Sequence, residues 1–356
     1  MFTPPTNRIP VAVLGATGAV GQTFVRLLDG HPWLELVEVA ASERSEGRCY
    51  GDAAHWLEGA IPRAAAELTV LPCTPKAVTA PVVFSALDAS VAGVIEPDFA
   101  RAGRVVLTNA RNHRMDADVP LVIPEVNPEH LALLRVQRQR RGWKGAIVAN
   151  GNCSSIIVTL ALAPLHQAFG IRSLFVTTLQ AISGAGYPGI SSLDIVGNVI
   201  PFIGGAEEEK IETETLKMLG KLADPGVAPA RFAISAQVNR VPVEHGHTAC
   251  MAVELERSAS PEEAVEALTS WRSAVAGLGL PSAPERAVAV AHAPDRPQPR
   301  RDAAVGGGMT VTVGRIRRDP ILDLRLVASG HNTVRGAAGA SLLNAELLIA
   351  RGMIPV

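Results

Sequence analysis

The feature that most constrains this chain is a seven-residue loop, "GATGAVG", running from Gly15 to Gly21. It follows the short apolar run "IPVAVL", residues 9–14, which reads as a buried strand. It leads into a stretch that places Val20, Phe24, Leu27 and Leu28 on one helical face. A strand that turns at once into a helix presents free N–H groups and the positive end of the helix dipole to an anion. Gly15 permits a turn that a side chain would obstruct, Gly18 admits a pyrophosphate, and Gly21 lets helix and strand lie close. The whole loop, Thr17, Ala19 and Val20 included, is therefore expected to hold the phosphates of a dinucleotide. Further apolar runs at 34–41 ("LELVEVAA"), 68–71, 82–86 and 104–107 alternate with helical or turn-like segments. Such alternation implies a parallel sheet covered on both faces.

The end of the second strand bears on coenzyme choice. Dinucleotide sites that take NAD usually place an acid there for the ribose hydroxyls. Here the strand runs out in "AASERSEG", where Ser42 and Arg44 are placed to accept a 2′-phosphate and Glu43 is the nearby acid. NADP is the expected cofactor, with Arg44 as an ordinary solvated loop charge as the competing reading.

The texture changes after a helix at 154–169. "SLFVTTLQAIS" (173–183), "AISAQVNRVPV" (233–243), "TACMAVELE" (248–256) and "MTVTVGRIRRD" (309–319) are rich in Val and Thr. They read as strands of a second, mostly antiparallel sheet. Helices are expected at 207–222 and at 261–278, the latter with Ser260 as N-cap and Pro261 in its first turn. Residues 281–308, rich in Pro, Ala, Arg and Gly, read as a surface crossing. The expected fold is α/β: a Rossmann-type parallel-sheet domain, residues 1–152, joined by a C-terminal helix at 333–356, plus an α+β catalytic and dimerisation domain, 153–332.

Bulk properties exclude several classes. The 356 residues are 47% apolar and carry a formal charge of −1, which gives no electrostatic reason to expect nucleic acid or an acidic membrane as partner. The four cysteines are scattered without a CxxC pair, as expected of a chain in a reducing, cytoplasmic setting. No apolar run is long enough to span a bilayer, and the apolar stretch from Ile9 is too short for a signal peptide.

One cysteine stands out. In "NGNCSS", residues 150–155, Cys153 opens the helix that follows. A lone cysteine is usually a buried small apolar residue. At a helix N-terminus, however, the dipole and amides favour a thiolate. A thiolate nucleophile needs a proton partner, usually histidine. "NRVPVEHGHT", 239–248, offers Arg240, His245 and His247 close together. A metal reading of His245, His247 and Cys250 lacks a fourth ligand at a usual spacing, so no metal is expected. "LQAISGAG" adds Gln180 before a small-residue loop; "AEEEK" sets Glu207 and Lys210 on one helix face; "NARNHR" offers Arg111 and Arg114 as anion binders after a strand end.

Taken in order, "GATGAVGQ", "ASERSEGRCYGD", "PLVIPEVNPEH", "NCSS", "QAISGAGYPG", "EEEKIETET", "RVPVEHGHT", "RPQPR" and "HNTVRGAAGASLLNAE" resemble the aspartate-semialdehyde dehydrogenases, most closely their archaeal and fungal branch. The resemblance covers nearly the whole chain. It implies reversible conversion between L-aspartyl 4-phosphate and L-aspartate 4-semialdehyde, on the route to lysine, threonine, methionine and diaminopimelate. It implies Cys153 as nucleophile, His247 as acid/base partner and Gln180 orienting the bound intermediate. It further implies Arg240 on the substrate α-carboxylate, Glu207 on the α-amino group, Lys210 and Arg114 on the phosphate, and Asn332 near the nicotinamide. A homodimer or homotetramer is implied, with the apolar stretch 197–205 at an interface or over the site. Two departures from the family pattern stand out: in "NGNCSS" Gly151 is expected to loosen the approach to the thiol while Ser155 keeps a hydroxyl, both leaving room for another acyl group, and "NARNHR" lacks the serines common before the arginine. The alternative is a sister acyl reductase, acting on malonyl-CoA or on N-acetyl-glutamyl phosphate.

Overall fold

The computed structural model describes residues 4–354. The first half builds strands β1 (Ile9–Leu14), β2 (Leu34–Ala41), β3 (Val70–Pro72), β4 (Val82–Ser85), β5 (Val105–Thr108) and β6 (Ala146–Ala149). They form one sheet in the order β3-β2-β1-β4-β5-β6, parallel throughout. The order reverses beside β1, so the crevice at its carboxyl end is where ligands of such sheets collect. Helix α1 (Ala19–Leu28) leaves that end directly.

Helix α2 (Cys153–Phe169) joins the halves. Nearly all of it is buried, from Ser154 through Leu165, so it has no solvent face. That follows from its composition: "IIVTLALAPL" is apolar all round, which suits a helix enclosed on every side. It packs in one core with Ala12 and Leu14 of β1 and with the inner face of a second sheet, through Val176, Met251 and Ala328. Each leucine-sized side chain enclosed there contributes about 1.5–3 kcal/mol, so the position of its first residue, Cys153, is held firmly.

The second sheet uses β7 (Ile171–Gln180), β10 (Ala233–Arg240), β11 (His247–Leu255), β12 (Val288–Ala291), β13 (Val311–Arg318) and β14 (Leu324–Gly330). A small β8–β9 ribbon (Lys221–Ala223, Gly226–Ala228) lies apart. Its order is β10-β7-β11-β14-β13-β12, a mixed sheet in which β10/β7 and β12/β13 run parallel and the other pairs antiparallel. Helix α3 (Glu207–Met218) lies against β10 and α2. Helix α4 (Gly339–Ala350) returns to the first sheet, burying Leu342, Leu347 and Leu348 in one cluster with Phe24 and Phe84.

Some expectations need correction. The helix begun at Glu207 stops at Met218, and Lys221–Ala223 turns into the small ribbon because Gly220 lets the chain pass close to Ala228. The helix begun at Pro261 stops at Ser270, although its Ser260 cap forms a full capping box with Glu263. The segment 281–308 contains a strand, β12, within what reads as a surface crossing. Among the described residues no helix is long and apolar enough to cross a membrane.

Candidate active site

Sheet register assembles the site. Gln180 pairs with Arg240 across β7 and β10, and His247 opens β11 opposite Gly330. The ends of three strands thus meet the N-terminus of α2. Asn152 caps that helix: its Oδ1 accepts from the amides of Ser154 at 2.9 Å and Ser155 at 3.1 Å. Such a cap is worth about 1 kcal/mol.

Cys153 Sγ lies 3.2 Å from His247 Nε2. The backbone N–H of Ala181 donates to His247 Nδ1 at 3.0 Å. An amide can only donate, so Nδ1 is the accepting nitrogen and the neutral ring carries its proton on Nε2, facing sulfur. Burial, Arg240 and His331 together push the imidazole down to about 3, so it is uncharged at neutral pH. The thiol departs from expectation. Burial first, then Glu207, push it up to about 12, against Arg114, Arg240 and the Ser154 amide, which pull it down. The helix N-terminus alone does not make a resting thiolate, because desolvation outweighs it.

Two glycines let these groups approach. A methyl on Gly336 would lie 2.5 Å from Cβ of Cys153. One on Gly184 would lie 2.9 Å from Arg240 Nη1 and 3.1 Å from His247 Cε1. Neither signal is readable without the fold, because both glycines are distant in sequence from what they touch.

Arg240 is buried and donates one N–H to Ala181 O at 2.7 Å. Its remaining donors make no hydrogen bond among the described residues, and its guanidinium contributes to the field at both Cys153 and His247. Glu207 is buried; its carboxylate accepts from Asn152 Nδ2 at 2.8 Å, Gln180 Nε2 at 3.3 Å and Lys210 Nζ at 3.0 Å. Cys153, His247, Gln180, Arg240, Glu207 and Lys210 are therefore one constellation.

Arg114 does not join it as a free anion binder. It is buried, giving Nη1 to Glu214 Oε1 at 2.9 Å and Nη2 to Asn109 O at 2.6 Å, while its Nε takes no hydrogen-bond partner among the described residues. Arg111, three residues earlier, is the exposed one, and donates to Gly205 O at 3.2 Å beside Lys210. Asn332 is likewise engaged: its amide donates to Ser183 Oγ at 2.8 Å and accepts from the Gly246 amide at 2.9 Å. It braces the loop before His247 against the loop after Gln180. Gly151 and Ser155 do not face the thiol's approach. Gly151 abuts Ile156 and Met218, and the Ser155 hydroxyl ties α2 to Lys210 O at 3.2 Å.

The glycine loop has the form expected of a phosphate cradle. Gly15 has φ +70°, and a methyl there would strike Ala86 O at 2.6 Å. Gly21 abuts Gly15 and Ala16, so only hydrogen fits. Gly18, the N-cap of α1, uses no side-chain cap, and its surroundings are open apart from Gly15 O. The first-turn amides of α1 thus remain available to an anion. Ser42 and Arg44 are exposed just beyond the end of β2. A cavity of about 270 Å³ lies between Ala19, Thr23 and Glu58 on one side and Ser183, Tyr187 and Thr333 on the other. It connects the glycine loop with the loop that carries the His247-holding amide.

Comparison with known proteins agrees with this geometry. Residues 10–134 match the family model described as the semialdehyde dehydrogenase NAD binding domain, and residues 162–335 the one described as its dimerisation domain. The aspartate-semialdehyde dehydrogenase of Archaeoglobus fulgidus is 51% identical over 98% of this chain and 100% of its own length. That of Saccharomyces cerevisiae is 43% identical over 96% of this chain and 98% of its own. Among solved structures, the aspartate semialdehyde dehydrogenase of Candida albicans with NADP superposes with a TM-score of 0.89 at 42% identity, covering 97% of this chain and 100% of that one. Aspartate semialdehyde dehydrogenase II of Vibrio cholerae, complexed with ASA, does so with a TM-score of 0.77 at 29% identity, covering 97% and 99%. The chain belongs to the aspartate-semialdehyde dehydrogenase family.

Proposed function

We propose that this protein catalyses the NADP-dependent, reversible reductive dephosphorylation of L-aspartyl 4-phosphate to L-aspartate 4-semialdehyde, in the biosynthesis of amino acids of the aspartate route. The observation that carries the reading is the 3.2 Å Cys153–His247 contact set within reach of a buried arginine and a buried glutamate. Arg240 meets the substrate α-carboxylate through a two-pronged contact, and Glu207 meets the α-ammonium. Gln180, beside Glu207, orients the acyl group. Phosphate lies toward Lys210.

Cys153 attacks the acyl carbon, the bond to phosphate breaks, the thiol proton leaves with the departing phosphate, and a thioester forms. When bound, NADPH supplies the hydride that reduces this thioester. Gly15, Thr17, Gly18, Ala19, Val20 and Gly21 would hold the pyrophosphate and Ser42 with Arg44 the 2′-phosphate; Asn332, bonded to Ser183, would act at the nicotinamide end. The thiohemiacetal then collapses and sulfur leaves. His247 is the proton partner of Cys153. It works first as a donor, its Nε2–H steadying negative charge on sulfur, because accepting a further proton would set Nδ1–H against the Ala181 amide. The Cys153 amide stabilises the tetrahedral oxyanion, the neighbouring amides at the head of α2 being held by Asn152 and Glu214. Residues 1–152, with the returning C-terminal segment from 333, whose helix spans Gly339–Ala350 and whose last two residues lie outside the described ones, form the coenzyme domain, and 153–332 the catalytic and dimerisation domain. The protein works as a cytoplasmic homodimer or homotetramer.

The test is phosphate-dependent NADP reduction with aspartate 4-semialdehyde, run against malonyl-CoA-dependent NADPH oxidation. Cys153→Ser is expected to abolish turnover and leave NADPH binding nearly intact. Near-wild-type activity in that variant, or turnover with malonyl-CoA alone, sinks the assignment.

A further inference from the structure

Glu207 and Lys210 face a problem of charge that the resting structure makes visible. The Glu207 carboxylate is buried, two of its hydrogen bonds come from neutral amides, and its one cationic partner by hydrogen bond is Lys210, at 3.0 Å. If a substrate ammonium is to sit on Glu207, two cations compete for one enclosed carboxylate. Repulsion between them is large where water is scarce. One must leave, and the substrate is held elsewhere by Arg240.

Lys210 has a place to go. Its side chain is 19% exposed against 8% for Glu207. A methyl on Gly205 would lie 3.7 Å from its Nζ and 4.0 Å from Arg111 Nη1, so the two cations flank one side-chain-free stretch of backbone. Gly204 beside it faces open space, and Arg111 is already hydrogen-bonded to Gly205 O. The stretch leads into the N-terminus of α3, a helix of 12 residues. Of the other first-turn acids, Glu208 is engaged with the Val238 amide at 3.2 Å and Glu209 is exposed. Arg114 stays paired with Glu214 in either state and so does not distinguish them.

We propose that Glu207 and Lys210 form an exchangeable pair, in which the substrate's ammonium displaces Lys210 from Glu207 and the freed lysine joins Arg111 in binding phosphate. The inference rests on the reading of the substrate given above and adds Arg111 to the site. It makes amine recognition and phosphate binding one event. An acyl group without the amine leaves Lys210 on Glu207, and its phosphate meets Arg111 alone. By linkage, phosphate tightens the hold on the amine by the same factor.

The test uses full-length Cys153→Ser protein with NADP bound, titrated calorimetrically with inorganic phosphate. The titration is made with saturating aspartate 4-semialdehyde and again with succinic semialdehyde, the same chain without the amine. Phosphate is expected to bind roughly tenfold tighter beside the amino aldehyde. Adding Glu207→Gln removes the lysine's charged partner, and the ratio should fall to about one with phosphate tight in both. Adding Lys210→Ala should weaken phosphate roughly tenfold beside the amino aldehyde and leave it nearly unchanged beside succinic semialdehyde, so that the ratio again falls to about one. A ratio near one in the parent, or a ratio that survives Glu207→Gln, overturns the exchange. Absence of phosphate-dependent turnover of aspartate semialdehyde by the wild-type protein is a separate result, and it overturns the functional reading itself.

Discussion

The two ends of helix α3 carry the same chemistry to opposite purposes. At its start, Glu207 and Lys210 pair beside the thiol, the lysine partly in solvent. Two turns on, Glu214 takes Arg114 on one oxygen and the Asn152 amide, at 2.6 Å, on the other. Lys217 gives its three N–H bonds to the carbonyls of Arg114, Asp116 and Val119, at 2.7, 2.8 and 3.0 Å. Every oxygen of Glu214 and every hydrogen of Lys217 is spent. The far end fixes a loop; the near end keeps a cation that can move. The lesson is that an ion pair is read by what else its members hold, and by whether water reaches one of them.

The sharpest way to break this comparison is at the fixed end. Glu214→Ala leaves Arg114 buried without its partner and the Asn152 amide unmatched, and should cost about 3–5 kcal/mol of stability in denaturant unfolding. A loss below about 1 kcal/mol would make both ends alike. Next is the imidazole beside the thiol. His247→Ala should lower kcat by about 10²–10⁴-fold. His247→Gln, which keeps an N–H donor, should recover part of that loss. If glutamine is as inactive as alanine, proton uptake rather than donation is what the ring supplies. A smaller effect follows from pH. The folded His247 titrates at about 3, below its ordinary value, so the unfolded chain takes up the proton first as pH falls. The stability it contributes is present above about 6.5 and declines below, by about 2 kcal/mol at pH 5. His247→Gln should flatten that part of the acid unfolding curve; an unchanged curve refutes it. The smallest change belongs to the movable end. Lys210→Ala should alter stability by no more than about 1 kcal/mol while raising the KM for phosphate.

Much of this arrangement is legible in the sequence. The glycine loop, the NADP-type strand end, Cys153, Gln180, Arg240, Glu207 and His247 announce themselves by residue type and neighbours, because their chemistry needs those types. What is not legible depends on which side of a turn faces inward. Arg111 and Arg114 are three residues apart, and only packing of the 109–119 loop on α3 decides that Arg114 is enclosed. Gly151 and Ser155 look like part of the thiol's doorway, yet the first turn of α2 rotates them into the core and toward α3. The thiol's high pKa is hidden for the same reason: a helix N-terminus is visible in a sequence, whereas the desolvation that outweighs it is not.

Gly336 lies against Cys153, and α4 covers the sheet that carries the coenzyme loop. The nucleophile's seat is therefore completed by a segment that is synthesised only after both sheets. Neither half finishes its core in the order of synthesis, and a nascent chain that stops before residue 336 presents a cysteine without its glycine wall.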